Sequence, residues 1–257
     1  MREAFTYMFK DNCFYKKAFV YFILSFIPMT ILAIADMSSC SNSCQIGLSP
    51  VPLSSIKFEA LCYNLLAIFF YILSAGYFIT SLEAVIRQKT NIILPFFNFD
   101  LSLKKGFKFT LGVSIIVLIS MSIMFSLTIL GMTILGFALS IISVFCIILF
   151  IIYFVAGYSF TYLFATEYKI LTFLNFKQAF KNIMIAPKNY FKYWSVLILL
   201  NLINLALVYL FERFFGLFNN SYLTMILTNI ISSTLGTYFA YVSLMLISKS
   251  IKTESVV

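Results

Sequence analysis

Six long apolar runs follow one another along the chain, and short polar segments separate them. A helix rises about 1.5 Å per residue, so roughly twenty apolar residues cross the hydrocarbon core of a bilayer. The pattern therefore predicts an all-α polytopic chain with six transmembrane helices: Ala18–Ala35, Ala60–Leu82, Thr110–Leu130, Ile134–Tyr158, Tyr193–Phe211 and Tyr222–Ile247.

The third and fourth spans come from one uninterrupted region, 109–166, which contains no charged residue. This region is far too long for a single span. Because glycine relaxes the backbone, the turn between the two spans is predicted at Gly131-Met132-Thr133, with Gly136 nearby.

A short amphipathic segment precedes each pair of spans. Met1–Lys10 carries apolar residues at helical spacing and is predicted to lie at a membrane interface. A second segment passes through Leu101 and Phe107, with Asn98 or Asp100 as its N-cap.

The third amphipathic segment runs from Asn175, which can cap it, to Pro187, which ends it. It is predicted to place apolar residues on one face and polar residues on the other: Phe176, Phe180 and Ile183 against Lys177, Gln178, Lys181 and Asn182.

Two features near the first span leave alternatives open. Ala33-Ile34-Ala35 has the small-x-small form of a signal-peptide cleavage site, but the long preceding segment with Glu3 and Asp11 favours a retained span. Cys40 and Cys44 lie at the start of a serine-rich loop. In an oxidising compartment they would form a disulfide, but so short a ring needs a particular turn, which favours free thiols.

The composition agrees with a membrane protein, because 62% of the residues are hydrophobic, only 11% are charged and the mean hydropathy is +1.00. The net charge of +9 is spread over short clusters at the ends of the apolar runs rather than gathered in one patch with aromatic residues. No nucleic-acid partner is therefore expected.

Basic residues are distributed unequally between the two sides that six spans define. Sixteen of the 18 lysines and arginines fall on one side, and only Lys57 and Arg213 fall on the other. The positive-inside rule then places both termini in the cytoplasm, and we expect a multi-pass protein of the cell (inner) membrane.

The even-numbered spans share a glycine followed by an aromatic residue, at Gly76, Gly157 and Gly236. We interpret residues 1–257 as one transmembrane domain of three parallel repeats, 1–88, 89–168 and 169–257. Each repeat would hold an interfacial helix and a transmembrane hairpin. Coincidence is the alternative, since glycine and tyrosine are common near the ends of membrane helices.

Three short motifs carry a family resemblance: Ala75-Gly76-Tyr77, Leu94-Pro95-Phe96 and Lys105-Gly106. They resemble the signature of an uncharacterised prokaryotic family of six-span membrane proteins, a domain of unknown function. That family is similar in layout to the membrane domain of glycerophosphoryl diester phosphodiesterases. The resemblance implies a fold and no activity, and this chain has Phe96-Phe97-Asn98 where an acidic residue usually follows the proline.

Few residues suggest chemistry. The chain has no histidine, no glycine-rich phosphate loop and no cluster of metal ligands, so no catalytic residue, metal or cofactor is predicted. An intramembrane enzyme would need Glu83 and Glu167 to converge on one cavity. The candidate residues for lipid or partner contact, or for a pathway through the membrane, are Tyr77, Glu83, Arg87, Asn201, Asn204 and Asn229.

Two functions remain open. The first is a non-catalytic membrane protein that binds lipid or a partner, with anionic headgroups at its cytoplasmic face, and supports membrane or envelope homeostasis. The alternative is a permease or flippase-like transporter, for which the intramembrane asparagines would line a path rather than bond neighbouring helices. A protein partner and a homo-oligomer both remain open.

Overall fold

The computed structural model describes residue 11 and residues 13–43, 58–88, 93–133, 137–216 and 221–251, and these ranges contain helices and no strand. A short 3₁₀ turn, Ile170–Leu174, follows the fourth helix. The helices are α1 (Phe14–Ser43), α2 (Phe58–Arg87), α3 (Phe99–Thr133), α4 (Phe137–Glu167), α5 (Phe176–Ile185), α6 (Pro187–Gly216) and α7 (Ser221–Ile251).

Four of the described helices are long and apolar enough to cross a membrane: Phe14–Ile34 in α1, Leu61–Arg87 in α2, Pro187–Phe215 in α6 and Leu223–Ile251 in α7. These helices indicate a membrane protein. The helices α3 and α4 are 35 and 31 residues long. A count of six spans stays a prediction.

Several sequence-based boundaries are wrong. Gly131, Met132 and Thr133 are helical at the end of α3, so the predicted turn does not lie at these residues. The predicted separate interfacial helix through Leu101 and Phe107 is the beginning of α3 itself, because nothing between Asn98 and Thr133 breaks the helix. The segment Met1–Lys10 and the pairing of Cys40 with Cys44 lie outside the described residues.

The inner part of the bundle consists of α2, α4 and α7, which contact one another. The helix α1 packs against α2 and α7, and α3 packs against α2 and α4. The helix α6 packs mainly against α7. Buried residues of α2, α4 and α7, including Leu82, Phe164 and Tyr241, belong to one hydrophobic core.

A close backbone contact joins α2 and α3 at Gly76 and Gly106. A Cβ atom added to Gly76 would lie 1.7 Å from the carbonyl oxygen of Ser102, and one added to Gly106 would lie 1.8 Å from the carbonyl oxygen of Ile72. Both obstacles are backbone atoms, which cannot move aside without moving the helices. Only glycine therefore allows the two backbones to approach this closely.

The other two glycines of the predicted repeat differ from Gly76. A Cβ atom added to Gly157 or Gly236 would meet no atom of the described residues within 4 Å. The close backbone approach at Gly76 is therefore not repeated at these two positions.

We expect Gly76→Ala to destabilise the protein by about 1–3 kcal/mol or more, because overpacking at a backbone contact forces α2 and α3 apart. Gly157→Ala makes the same chemical change where there is space, and we expect it to be neutral or slightly stabilising. Thermal unfolding of both variants in detergent tests this. Equal melting temperatures for the two variants would contradict the proposed contact.

Candidate functional site

The candidate site is the end of the bundle at which α1, α3 and α6 begin and α2, α4 and α7 end; we call it the basic end. Three connections there bring distant parts of the chain together. The backbone N–H of Leu94 donates to Asp11 at 3.1 Å, and Lys105 reaches both Glu83 and Tyr168.

Asp11 and Lys17 form a buried ion pair at the start of α1. The Lys17 Nζ lies 2.6 Å from Asp11 Oδ2, and the side chains are only 2% and 5% exposed. The N–H groups of Cys13 and Leu94 also donate to this carboxylate, and the ammonium lies 4.6 Å from the centre of the Phe96 ring. The pair ties the start of α1 to the connection between α2 and α3.

The environment of Asp11 favours its charged form. Burial alone would raise the pKa of this carboxyl group, but hydrogen bonds from Lys17 and from the N–H groups of Cys13 and Leu94 outweigh it. The pKa of Asp11 is therefore lowered from its ordinary value of 3.8. Sequence reasoning missed this pair, although a lone acid before Lys16-Lys17 is a local signal for it.

Tyr77 is fully buried in α2, and its hydroxyl donates to the carbonyl of Pro95 at 3.1 Å. Its ring packs against Tyr21 and, edge to face, against Phe97. The side chain therefore fastens the Leu94–Phe97 segment to the bundle, and it is not accessible to a ligand at the surface.

Glu83 pairs with Arg87 one turn further along α2, and with Lys105 of α3 at 2.7 Å. The Lys105 Nζ also donates to the Tyr168 hydroxyl at 2.9 Å and lies 4.4 Å from the centre of that ring. Tyr168 has a φ of 54°, a left-handed conformation just after α4 ends. These contacts link α2, α3 and α4, whereas Arg87 is 71% exposed.

The helix α5 shows an arrangement that the sequence pattern did not predict. Its inner face contains Ala179, Asn182 and Ile183, all buried. The expectation that Asn182 lies on the outer polar face is wrong; its Oδ1 accepts from Gln178 at 3.3 Å instead. The outer face, at i, i+3, i+4, i+7 and i+8 spacing, mixes basic and apolar residues that are all exposed: Lys177, Phe180, Lys181, Met184 and Ile185.

The same mixture of exposed basic and apolar residues recurs at the start of two other helices. On α1 it consists of Tyr15, Lys16 and Phe19. On α3 it consists of Leu101, Lys104, Phe107 and Lys108. We call the sets on α1, α3 and α5 the basic–apolar stripes.

The predicted asparagines lie away from the basic end. Asn201 and Asn204 line a crevice of about 540 Å³ between α4, α6 and α7, together with Tyr158 and Ser232. The Nδ2 of Asn201 donates to the carbonyl of Leu197 at 2.8 Å. Within the described residues, Asn204 Oδ1 is buried without a hydrogen-bond partner.

The remaining candidates do not join that crevice. The Nδ2 of Asn229 in α7 is buried and has no partner among the described residues, but this residue does not line the crevice. Glu167 is exposed, and no contact joins it to Glu83. In the part of the chain that the structure describes, no three His, Cys, Asp or Glu side chains are grouped to hold a metal ion.

Comparison with known proteins gives one match. A family model described as "Protein of unknown function (DUF4013)" matches residues 60–211, which is 152 of the 257 residues. The matched part contains Tyr77, Glu83, Arg87, Asn201 and Asn204. No curated protein and no solved structure matches the chain. Likeness to the membrane domain of glycerophosphoryl diester phosphodiesterases is not shown.

We expect Asp11→Asn to cost about 3–5 kcal/mol at neutral pH, because it leaves the Lys17 ammonium buried without its counter-ion. Since the folded-state pKa of Asp11 is lowered, this stabilisation is complete above about pH 4 and is lost as the pH falls through the lowered value. Unfolding curves of both proteins in detergent should therefore converge below pH 4.

The control for this comparison is Arg87→Gln, which removes the exposed partner of an ion pair at the same basic end. We expect it to cost less than about 1 kcal/mol. A loss for Asp11→Asn no larger than the loss for this control would contradict the structural role of the buried pair.

Proposed function

The chain belongs to the family described as Protein of unknown function (DUF4013), and we propose that this member is a non-catalytic integral membrane protein that binds anionic lipid headgroups at its basic end. The observation that carries the proposal is the basic–apolar stripes, in which lysines and large apolar side chains share one exposed face.

The stripes fit a membrane interface better than either water or the hydrocarbon core. Met184 is 74% exposed and Phe107 is 55% exposed, which is unfavourable in water. Lys104, Lys108 and Lys181 stand beside them, and their charge would be costly in hydrocarbon. At the boundary, the apolar groups enter the acyl region while the ammonium groups reach the phosphates.

The proposed topology has six spans, with the basic end and both termini in the cytoplasm. The mutual contacts of α2, α4 and α7 support a three-repeat layout. So does one repeated detail: Thr80 donates to the carbonyl of Gly76 at 2.8 Å, and Thr161 donates to that of Gly157 at 2.9 Å. Anionic lipid in the inner leaflet would then face the stripes.

The proposal of a non-catalytic role follows from the way the charged groups are used. Glu83 and Lys105 neutralise each other, and Asp11 is occupied by Lys17 and two backbone N–H groups. In this view they hold the basic end in shape, and the envelope or membrane role would come from lipid binding.

A transporter is the second candidate, and the crevice beside Asn201 and Asn204 favours it. The crevice lies beside the peripheral helix α6, and α2 does not line it. It is therefore not a central channel enclosed by α2, α4 and α7. Proteoliposome flux of a lipid or solute that depends on Asn204 would support transport over binding alone.

We expect the double variant Lys177→Gln/Lys181→Gln to retain less phosphatidylglycerol. Each lysine near an anionic surface contributes about 1 kcal/mol, so the apparent affinity should fall about thirtyfold in low salt. Native mass spectrometry of the purified protein counts the bound lipids. The amount of phosphatidylglycerol that the wild-type protein retains should itself decrease as the salt concentration rises.

The control is Arg213→Gln, which removes an exposed basic residue near the end of α6. Retention should be unaffected by it, because Arg213 lies at the opposite end of the bundle. Equal retention by the double variant and wild type would refute headgroup binding by α5.

A reporter fusion tests the topology. A reporter that is active only in the cytoplasm should be active when fused to either terminus and inactive when inserted between α1 and α2. A reporter that is active only outside the cytoplasm should give the opposite result. Opposite activities at the two termini would exclude an even number of spans.

A further inference from the structure

The crevice between α4, α6 and α7 lies far from the stripes, near the middle of the helices that form it. Asn201 and Asn204 follow the first residue of α6 by about 21 and 26 Å, in a helix about 45 Å long. Ser232 lies about 17 Å from the start of α7. A ligand here would be held at mid-membrane depth rather than at a headgroup.

The polar lining offers an unused hydrogen-bond acceptor. Asn204 Oδ1 is buried without a partner in the described part of the chain, although an unsatisfied buried polar atom costs about 1–3 kcal/mol. The neighbouring Asn201 uses its Nδ2 on the carbonyl of Leu197. The unpaired carbonyl oxygen of Asn204 calls for a donor such as a hydroxyl or an amide N–H.

The rest of the lining determines the class of ligand. None of the described residues that line the crevice is charged, and an ion would be costly at this depth. Its remaining walls on α6 are aliphatic: Ile198, Leu202, Leu205 and Val208. We infer that the crevice binds a neutral lipid through a hydroxyl or amide group, with the hydrocarbon against these aliphatic side chains.

A lipid can reach the crevice directly from the bilayer. The helix α6 packs mainly against α7, and exposed apolar residues such as Leu199 and Leu205 cover its outer surface. A lipid can therefore enter beside α6 without crossing a polar layer. This inference does not depend on headgroup binding at the basic end, since no residue is shared between the crevice and the stripes.

The test uses wild-type protein in liposomes that contain a diazirine-bearing diacylglycerol, or, in parallel, a diazirine-bearing phosphatidylglycerol. After photolysis, mass spectrometry maps the labelled peptides. We expect diacylglycerol to label peptides of α6 and α7 that line the crevice. Excess unlabelled diacylglycerol should reduce this labelling at least fivefold, and excess unlabelled phosphatidylglycerol should not.

Two variants and one matched control locate the site. Leu202→Trp fills the crevice, and Asn204→Leu removes the free acceptor, so each should reduce crevice labelling about three- to tenfold. Leu210→Trp makes the same change as Leu202→Trp at an exposed position of α6 outside the crevice, and labelling should persist.

Labelling that is equal in all three variants, or that is competed equally by both lipids, would overturn the inference. The competition experiment on wild-type protein decides the matter even where a variant does not fold. Loss of phosphatidylglycerol retention with unchanged crevice labelling would affect only the function proposed for the basic end.

Discussion

The contact of α2 with α3 at Gly76 and Gly106 is the constraint on which the basic end depends. Because the backbones touch, the first turns of α3 lie directly against the last turns of α2. Lys105, the residue before Gly106, is thereby brought to Glu83. The hydroxyl of Tyr77, the residue after Gly76, is brought within hydrogen-bonding distance of the Pro95 carbonyl. A wider crossing would separate both pairs.

The basic residues of this end fall into two groups with different surroundings. Lys17 and Lys105 point inward, where a carboxylate and an aromatic ring accompany each of them. Lys104, Lys108 and Lys181 point outward beside exposed apolar side chains. The first group compensates charge within the protein. The second group leaves its positive charge available to a partner outside the protein. A count of positive residues alone does not distinguish the two groups.

Local features were predictable from the sequence, because both partners lie within one helical turn. Asn98 and Asn175 cap α3 and α5 as expected, by accepting from the N–H groups of Leu101 and Gln178. The apolar runs likewise predicted the long helices, but with ends several residues short, because polar residues continue the helices beyond the apolar part.

Tertiary features were not predictable in this way. Asp11 meets Leu94 across 83 positions, and Lys105 meets Tyr168 across 63. No periodicity along one helix reports such a contact. The same limit applies to the burial of Asn182 and to the open space around Gly157. Which face of α5 packs against the bundle, and how close a neighbouring helix lies to Gly157, depend on the packing of the whole bundle. The sequence indicated Asn201 and Asn204 as polar residues in a span, but not that Asn204 Oδ1 lacks a partner among the residues that the structure describes.

The family match covers the middle of the chain, whereas α1 and α7 lie entirely outside it. These two helices pack against each other, with Phe14 edge to face against Tyr241. Because α1 precedes α7 in the chain, the ribosome makes α1 before α7, and the five helices α2 to α6 are made between them. The contact between α1 and α7 can therefore form only after all of these helices have been made. Closure of the bundle at this seam follows the pairing of neighbouring helices such as α1 with α2.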